Sequence, residues 1–178
     1  MSLLTANPSG RDKTMSERET IRVLLVDDEE QLTEYLAKRL LKKGFTVKAT
    51  FSGEEAVDAA LEEHYDVAVV DLKMPEMDGV ECQKRLKKIQ PFLQCVVLTA
   101  HGSIETALES GQEDAFQYLL KPVDYENLLA VINEAYSKKV ELQRSKFSEQ
   151  VAEIQSAGLG PRGLRRAIQE LRQIYGIE

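Results

Sequence analysis

The chain has no tryptophan and only two cysteines in 178 residues. Cys82 and Cys95 stand apart with no Cys-x-x-Cys pair, and His64 and His101 are the only histidines. So few soft ligands set against a zinc site or a disulfide framework and fit a reducing cytoplasm. No apolar run approaches the roughly 18–20 residues that span a bilayer. The opening MSLLTANPSGRDKTMSERET lacks the basic-then-apolar layout of a secretory signal. Surplus positive charge is also missing: the formal net charge is -7. Binding to DNA phosphates needs cations, so direct nucleic-acid binding is not expected. What is present is a 43% hydrophobic share, normal for a globular protein and too high for wholesale disorder.

The negative charge is concentrated. Residues 21–140 hold 14 Lys and Arg against 22 Asp and Glu, a net of -8, while the flanks together carry +1. Residues 1–20 show no period and read as a disordered leader, with Met15 an alternative start. From Ile21 an alternation begins. IRVLLV (21–26), FTVKAT (45–50), DVAVVD (66–71), QCVVLTA (94–100) and AFQYLL (115–120) read as strands. Between them lie helical patterns: Leu32, Tyr35, Leu36 and Leu40 recurring at helical spacing until Gly44; Ala56, Val57, Ala60 and Leu61 inward behind a Ser52 cap; Cys82, Leu86 and Ile89 on one face. A fourth opens at Ser103 with Ile104, Ala107 and Leu108. The last begins at an Asp124 cap and carries Leu128, Leu129, Ile132, Ala135 and Tyr136. Five strands alternating with five helices over short loops predict an α/β fold with a doubly wound, five-stranded parallel sheet covered on both faces. Right-handed crossovers place every strand's C-terminal end on one edge, where ligands bind.

That edge carries chemistry. The first strand ends in Asp27, Asp28, Glu29 and Glu30, the third in Asp71, the fourth in Thr99 and the fifth in Lys121. Singly, each has an ordinary explanation: a turn-forming Asp, a strand Thr, a solvated Lys. Jointly, clustered carboxylates repel unless a cation neutralises them. An oxygen-only donor set with open positions suits Mg²⁺. A carboxylate beside a hydroxyl and an ammonium group suits phosphoryl transfer to that carboxylate. A cis Lys121–Pro122 bond would aim Lys121 at the acidic cluster, although the sequence does not fix the isomer.

VLLVDDE (23–29), VVDLKMPEMDGVE (69–81), VVLTAHGSIETA (96–107) and YLLKPVD (118–124) resemble, in order and spacing, the receiver domain of two-component response regulators. The likeness runs from about Ile21 to Lys139 and is nearest in motif to receivers of enhancer-binding regulators. It implies a flavodoxin-like fold and a cytoplasmic signalling switch rather than an enzyme. Asp71 would accept a phosphoryl group from a histidine kinase or histidine phosphotransfer protein. Asp27, Asp28, Asp71 and the backbone carbonyl of Lys73 would hold Mg²⁺, and Thr99 and Lys121 would contact the phosphoryl group. Tyr118 would move inward with Thr99 as the switch, while Lys73 and His101 would tune dephosphorylation. One departure is Asp114-Ala115, where the family commonly has Gly-Ala. It falls on a face (the helix from Ser103, the fifth strand and the helix from Asp124) through which such domains dimerise. A different class of function, a Mg²⁺-dependent phosphatase or phosphotransferase for small phosphorylated substrates, would use the same edge. Phosphatases of that kind need Asp-x-Asp on the first strand, and this chain has Val26-Asp27-Asp28.

Residues 140–178 form a helical extension. Leu129, Ile132, Tyr136, Val140, Phe147, Val151 and Ile154 recur at near-heptad spacing with a gap at Gln143 and Arg144. A dimeric coiled coil and a helix folding back on its own domain both fit. GLGPRG (158–163) breaks the helix. A second amphipathic stretch then presents Leu164, Ile168, Leu171 and Tyr175 on one face, with four arginines against two glutamates. It reads as a docking element or as the linker of a truncated output domain.

Overall fold

The computed structural model describes residues 20–100 and 115–176. Five strands form one sheet: β1 (Arg22–Val26), β2 (Thr46–Thr50), β3 (Val67–Asp71), β4 (Gln94–Thr99) and β5 (Gln117–Leu120), in spatial order β2-β1-β3-β4-β5, all parallel. The helices are α1 (Glu30–Lys42), α2 (Gly53–Glu62), α3 (Gly79–Ile89), α4 (Tyr125–Ser156) and α5 (Pro161–Tyr175). The helix expected from Ser103, His101 and Asp114 lie outside the described residues.

Strand alternation divides the core in two. Val23 and Leu25 point to a layer with Leu36 and Leu40 of α1 and Leu128, Val131, Ile132 and Ala135 of α4. Leu24 and Val26 point the other way, toward Ala56, Ala59 and Ala60 of α2 and Cys82 and Leu86 of α3. The central strands β3 and β4 are buried throughout, which is why their sequences are continuous apolar runs. β2 lies at an edge, and Thr46 and Lys48 face water there. Ser52 Oγ accepts from Glu55 N at 3.1 Å and Asp124 Oδ1 from Asn127 N at 2.8 Å, so both expected caps start their helices. Buried Gln90 accepts from Tyr65 N and donates to the carbonyls of Ala60 and Glu63, tying the end of α2 to the end of α3.

One inward assignment is corrected: Leu61 is 67% exposed while Ala59 takes the buried place. Tyr35, in the apolar pattern of α1, is 53% exposed and lies along that helix with Arg39. Both cysteines are buried and neither is in a disulfide, and burial pushes the Cys82 thiol up to about 12, leaving it protonated and inert.

α4 runs on past Lys139 as one helix of 32 residues, about 48 Å long. Beyond Lys139 its half-buried positions, among them Val140, Gln143, Phe147, Gln150, Val151 and Ile154, share a face. α5 folds back on it: Tyr175 is buried with its ring centroid 6.1 Å from Phe147 and 5.6 Å from Phe92, and its hydroxyl donates to Gln150 Oε1 at 3.0 Å. The heptad gap has a reason. Gln143 and Gln150 occupy one of the two seam rows, and Gln150 is used by Tyr175. In this chain α5 folds back so that Tyr175 meets that seam at Phe147 and Gln150.

Candidate functional site

The sheet register builds the site. Val26 pairs with Val70 across the central strands, so Asp27 and Asp71 leave adjacent strand ends side by side. Thr99 pairs with Leu120, and Lys121 N donates to Thr99 O at 2.8 Å, which sets Lys121 beside the acidic ends. The Lys121–Pro122 peptide bond is cis.

Lys121 Nζ lies 2.7 Å from Asp27 Oδ2, 2.9 Å from Glu29 Oε1 and 3.1 Å from Asp71 Oδ1. Asp27 and Asp71 are buried and Asp28 is exposed; carboxylate oxygens of all three lie within 4.8 Å of one another. Asp27 is further fixed by Glu29 N, which donates to its Oδ1 at 2.9 Å. Burial, with the charges of Asp27 and Asp28, raises the Asp71 pKa above the usual carboxylate value against the opposing pull of Lys121. Burial works against the lysine's charge too. Its hydrogen bonds to Asp27 and Glu29 and the charges of Asp27 and Asp71 outweigh that and hold its pKa above the usual ammonium value.

The loop after β3 is shaped to bring α3 against this edge. A Cβ on Gly79 would lie 2.2 Å from the carbonyl oxygen of Asp71, so only glycine permits the approach, and Gly79 N donates to Leu72 O at 2.9 Å. Glu76 takes a left-handed conformation, φ 65°, at the turn of the same loop. A Cβ on Gly53 would come within 2.7 Å of the Met77 sulfur, so that loop is also packed down on α2.

Asp27, Asp28, Asp71 and Lys121, each named from sequence, therefore come together. Thr99 is buried at the end of the neighbouring strand, its hydroxyl donating to the carbonyl of Ala100 at 3.3 Å. Tyr118 is half-buried on β5 and Lys73 is exposed on the loop. Glu29 carried no role in the sequence reading beyond its place among the strand-end carboxylates, yet it contacts Lys121 more closely than Asp71 does. Its partner lies 92 positions away, so no local pattern pointed to the contact.

Residues 23–133 match the response regulator receiver domain family. The chain belongs to this family. It is 35% identical over 129 residues to the transcriptional regulatory protein GlrR of Escherichia coli K12, covering 72% of this chain and 29% of that protein. With the DNA-binding transcriptional regulator NtrC of Klebsiella pneumoniae the identity is 33% over 120 residues, 67% of this chain and 26% of the other. The chain thus spans under a third of the length of these curated relatives. Among solved structures, a receiver domain protein from Clostridium thermocellum superposes with a TM-score of 0.64 at 32% identity, covering 68% of this chain and 98% of that one. The CheY-like receiver protein of Methanospirillum hungatei gives 0.64 at 26% identity over the same share of each chain. The receiver match stops well before the end of α4, so the second half of α4 and all of α5 lie outside it. No helix among the described residues is long and apolar enough to cross a membrane.

Proposed function

We propose that this receiver is a phosphorylation-controlled signalling switch whose acceptor is Asp71. The observation that carries this reading is the placement of three carboxylates, Asp27, Asp28 and Asp71, around one site with Lys121 Nζ among them. The donor would be a phosphohistidine of a histidine kinase or histidine phosphotransfer protein. A bond forms between an Asp71 carboxylate oxygen and phosphorus as the phosphorus–nitrogen bond breaks, and the electron pair stays on the departing imidazole. Burial among acidic neighbours keeps the Asp71 oxygen more basic than an exposed carboxylate, which favours it as nucleophile. Lys121 supplies a fixed positive charge to the arriving phosphoryl oxygens.

The donor set fits Mg²⁺: every available ligand atom is a hard oxygen, and the carboxylates outnumber the local cation. Asp27, Asp28, Asp71 and the Lys73 carbonyl would hold it. When bound, it supplies charge neutralisation for the phosphoryl oxygens. Thr99, buried next door, would turn its hydroxyl from Ala100 to the phosphoryl group, and Tyr118 would follow into the space vacated. Shifting a two-state ratio from 1:99 to 99:1 needs about 5.5 kcal/mol. One charge-assisted hydrogen bond contributes roughly 1.5–3 kcal/mol, so Thr99 acts together with Lys121 and the repacking of Tyr118. Lys73 and His101 would shape water access to the acyl phosphate. The output would be altered binding to a partner or a second copy of the chain, in the cytoplasm. The protein would act on its own phosphorylation and dephosphorylation and not turn over an external substrate.

The test is intact mass after incubation with acetyl phosphate and Mg²⁺. One labile phosphoryl adduct is expected on wild type and none on Asp71→Asn. Turnover of phosphate esters without an adduct on Asp71 would replace this reading with a phosphatase.

A further inference from the structure

Lys121 Nζ lies 2.7–3.1 Å from carboxylate oxygens of Asp27, Glu29 and Asp71, and it donates a hydrogen bond to Glu29 Oε1 at 2.9 Å. An incoming phosphoryl group must compete with these carboxylates for the ammonium. The three carboxylates are unequal. Asp27 and Asp71 are fixed by the strand ends and their side chains are 5% and 8% exposed, whereas Glu29 is 62% exposed and sits on the solvent side of the lysine. Glu29 is also the residue at the N-cap position of α1, where a side chain ordinarily accepts from the first turn; here it makes no capping bond. Its backbone carbonyl does the structural work instead, accepting from Thr33 N at 3.0 Å and Thr33 Oγ1 at 3.1 Å. The Glu29 carboxylate is thus diverted from capping its helix to holding Lys121.

We infer that Glu29 is a positioning residue that gates Lys121: in the resting state its carboxylate occupies an ammonium donor on the solvent side, and it withdraws when a phosphoryl group arrives. This rests on the acceptor reading of Asp71. Transfer adds a dianionic group where one carboxylate stood, so a mobile negative charge on the same lysine opposes the incoming donor. Withdrawal of Glu29 costs less than withdrawal of buried Asp27. It also removes one negative charge from the approach path. Aspartate, one methylene shorter, would repel the donor while holding the lysine less well.

The experiment measures the initial rate of adduct formation on the full chain with acetyl phosphate and Mg²⁺, across a range of ionic strengths. The variants are Glu29→Gln, Glu29→Asp and Asp71→Asn. In the transfer the acetyl oxygen–phosphorus bond breaks and acetate leaves with the electron pair. Glu29→Gln is expected to react about two- to fivefold faster than wild type at low salt, the range of an exposed ion pair. The gap should close as salt screens an exposed charge, and Glu29→Asp should fall between the two. A purely structural role for Glu29 would not produce a salt-dependent gap. Equal rates at every ionic strength, or a slower Glu29→Gln, would overturn the gate while leaving Asp71 as acceptor. No adduct on wild type, or an equal adduct on Asp71→Asn, would overturn the acceptor reading and the gate with it.

Discussion

The two ends of the sheet each carry a nearly buried lysine against an aspartate, and the two pairs have opposite meanings. At the C-terminal edge Lys121, 17% exposed, faces Asp27, Glu29 and Asp71, with Asp28 beside them. At the N-terminal edge Lys139 of α4, 15% exposed, pairs with Asp66, whose other oxygen accepts from Arg22 N at 2.7 Å. Nearby, the Arg22 guanidinium meets Glu63 and the carbonyl of His64. Among the described residues, two cations there answer two carboxylates, while at the other end one cation answers four. Burial and ion pairing are the same at both ends, so neither distinguishes structure from function. The imbalance does: a pocket that keeps surplus negative charge out of water is costly to the free fold, and a bound cation would relieve that cost.

Opposite signs of mutational effect would make this comparison sharp. Asp66→Asn removes the partner of a mostly buried lysine in a balanced set. It is expected to destabilise the fold by about 2 kcal/mol in denaturant unfolding, with the phosphoryl adduct on Asp71 unaffected. Asp71→Asn removes one charge from the unbalanced set and is expected to stabilise the metal-free fold, by about 1 kcal/mol. The second effect has a pH signature. The folded pKa of Asp71 is raised by burial and by Asp27 and Asp28, so its ionised form is the disfavoured one in the native state. The stability gap between wild type and Asp71→Asn is full above that folded pKa. It closes as pH falls through it and is gone below the unfolded value, where both states are protonated. Thermal unfolding of both proteins across acid pH, without divalent cations, measures it. Destabilisation by Asp71→Asn would show that the acidic end is balanced after all.

The acidic end was legible in sequence because each of its parts follows from short-range rules. Apolar runs set the strands, strand ends set the carboxylates, and parallel order set which edge they share. Ser52 and Asp124 were readable as caps for the same reason. Helix phase was less secure. Leu61 looked inward because leucine outweighs alanine in any apolar pattern, yet α2 packs so closely that Ala59 faces the sheet and Leu61 faces water. Tyr35 fell to the outside through its contact with Arg39. Glu29 was visible but had no readable role, because its partner lies 92 positions away. The direction of the tail was equally unreadable, since the contact between Tyr175 and Phe92 joins elements with no local signal for each other.

That tail supplies the smallest test of the comparison, because it belongs wholly to the balanced end. α5 is held to α4 through an apolar face that is only half-buried, with Tyr175 its buried member. Tyr175→Phe keeps the ring against Phe92 and Phe147 and deletes the donor to Gln150. The loss should be about 0.5 kcal/mol, since water can still reach the glutamine. A satellite helix unfolds locally before the domain does. The loss is therefore expected as faster amide exchange in α5, with global unfolding and exchange around Asp71 unchanged. If exchange at the Asp71 end also moved, α4, which begins four residues after Lys121 and reaches Tyr175, would be a mechanical link between the two ends, and their separation would fail.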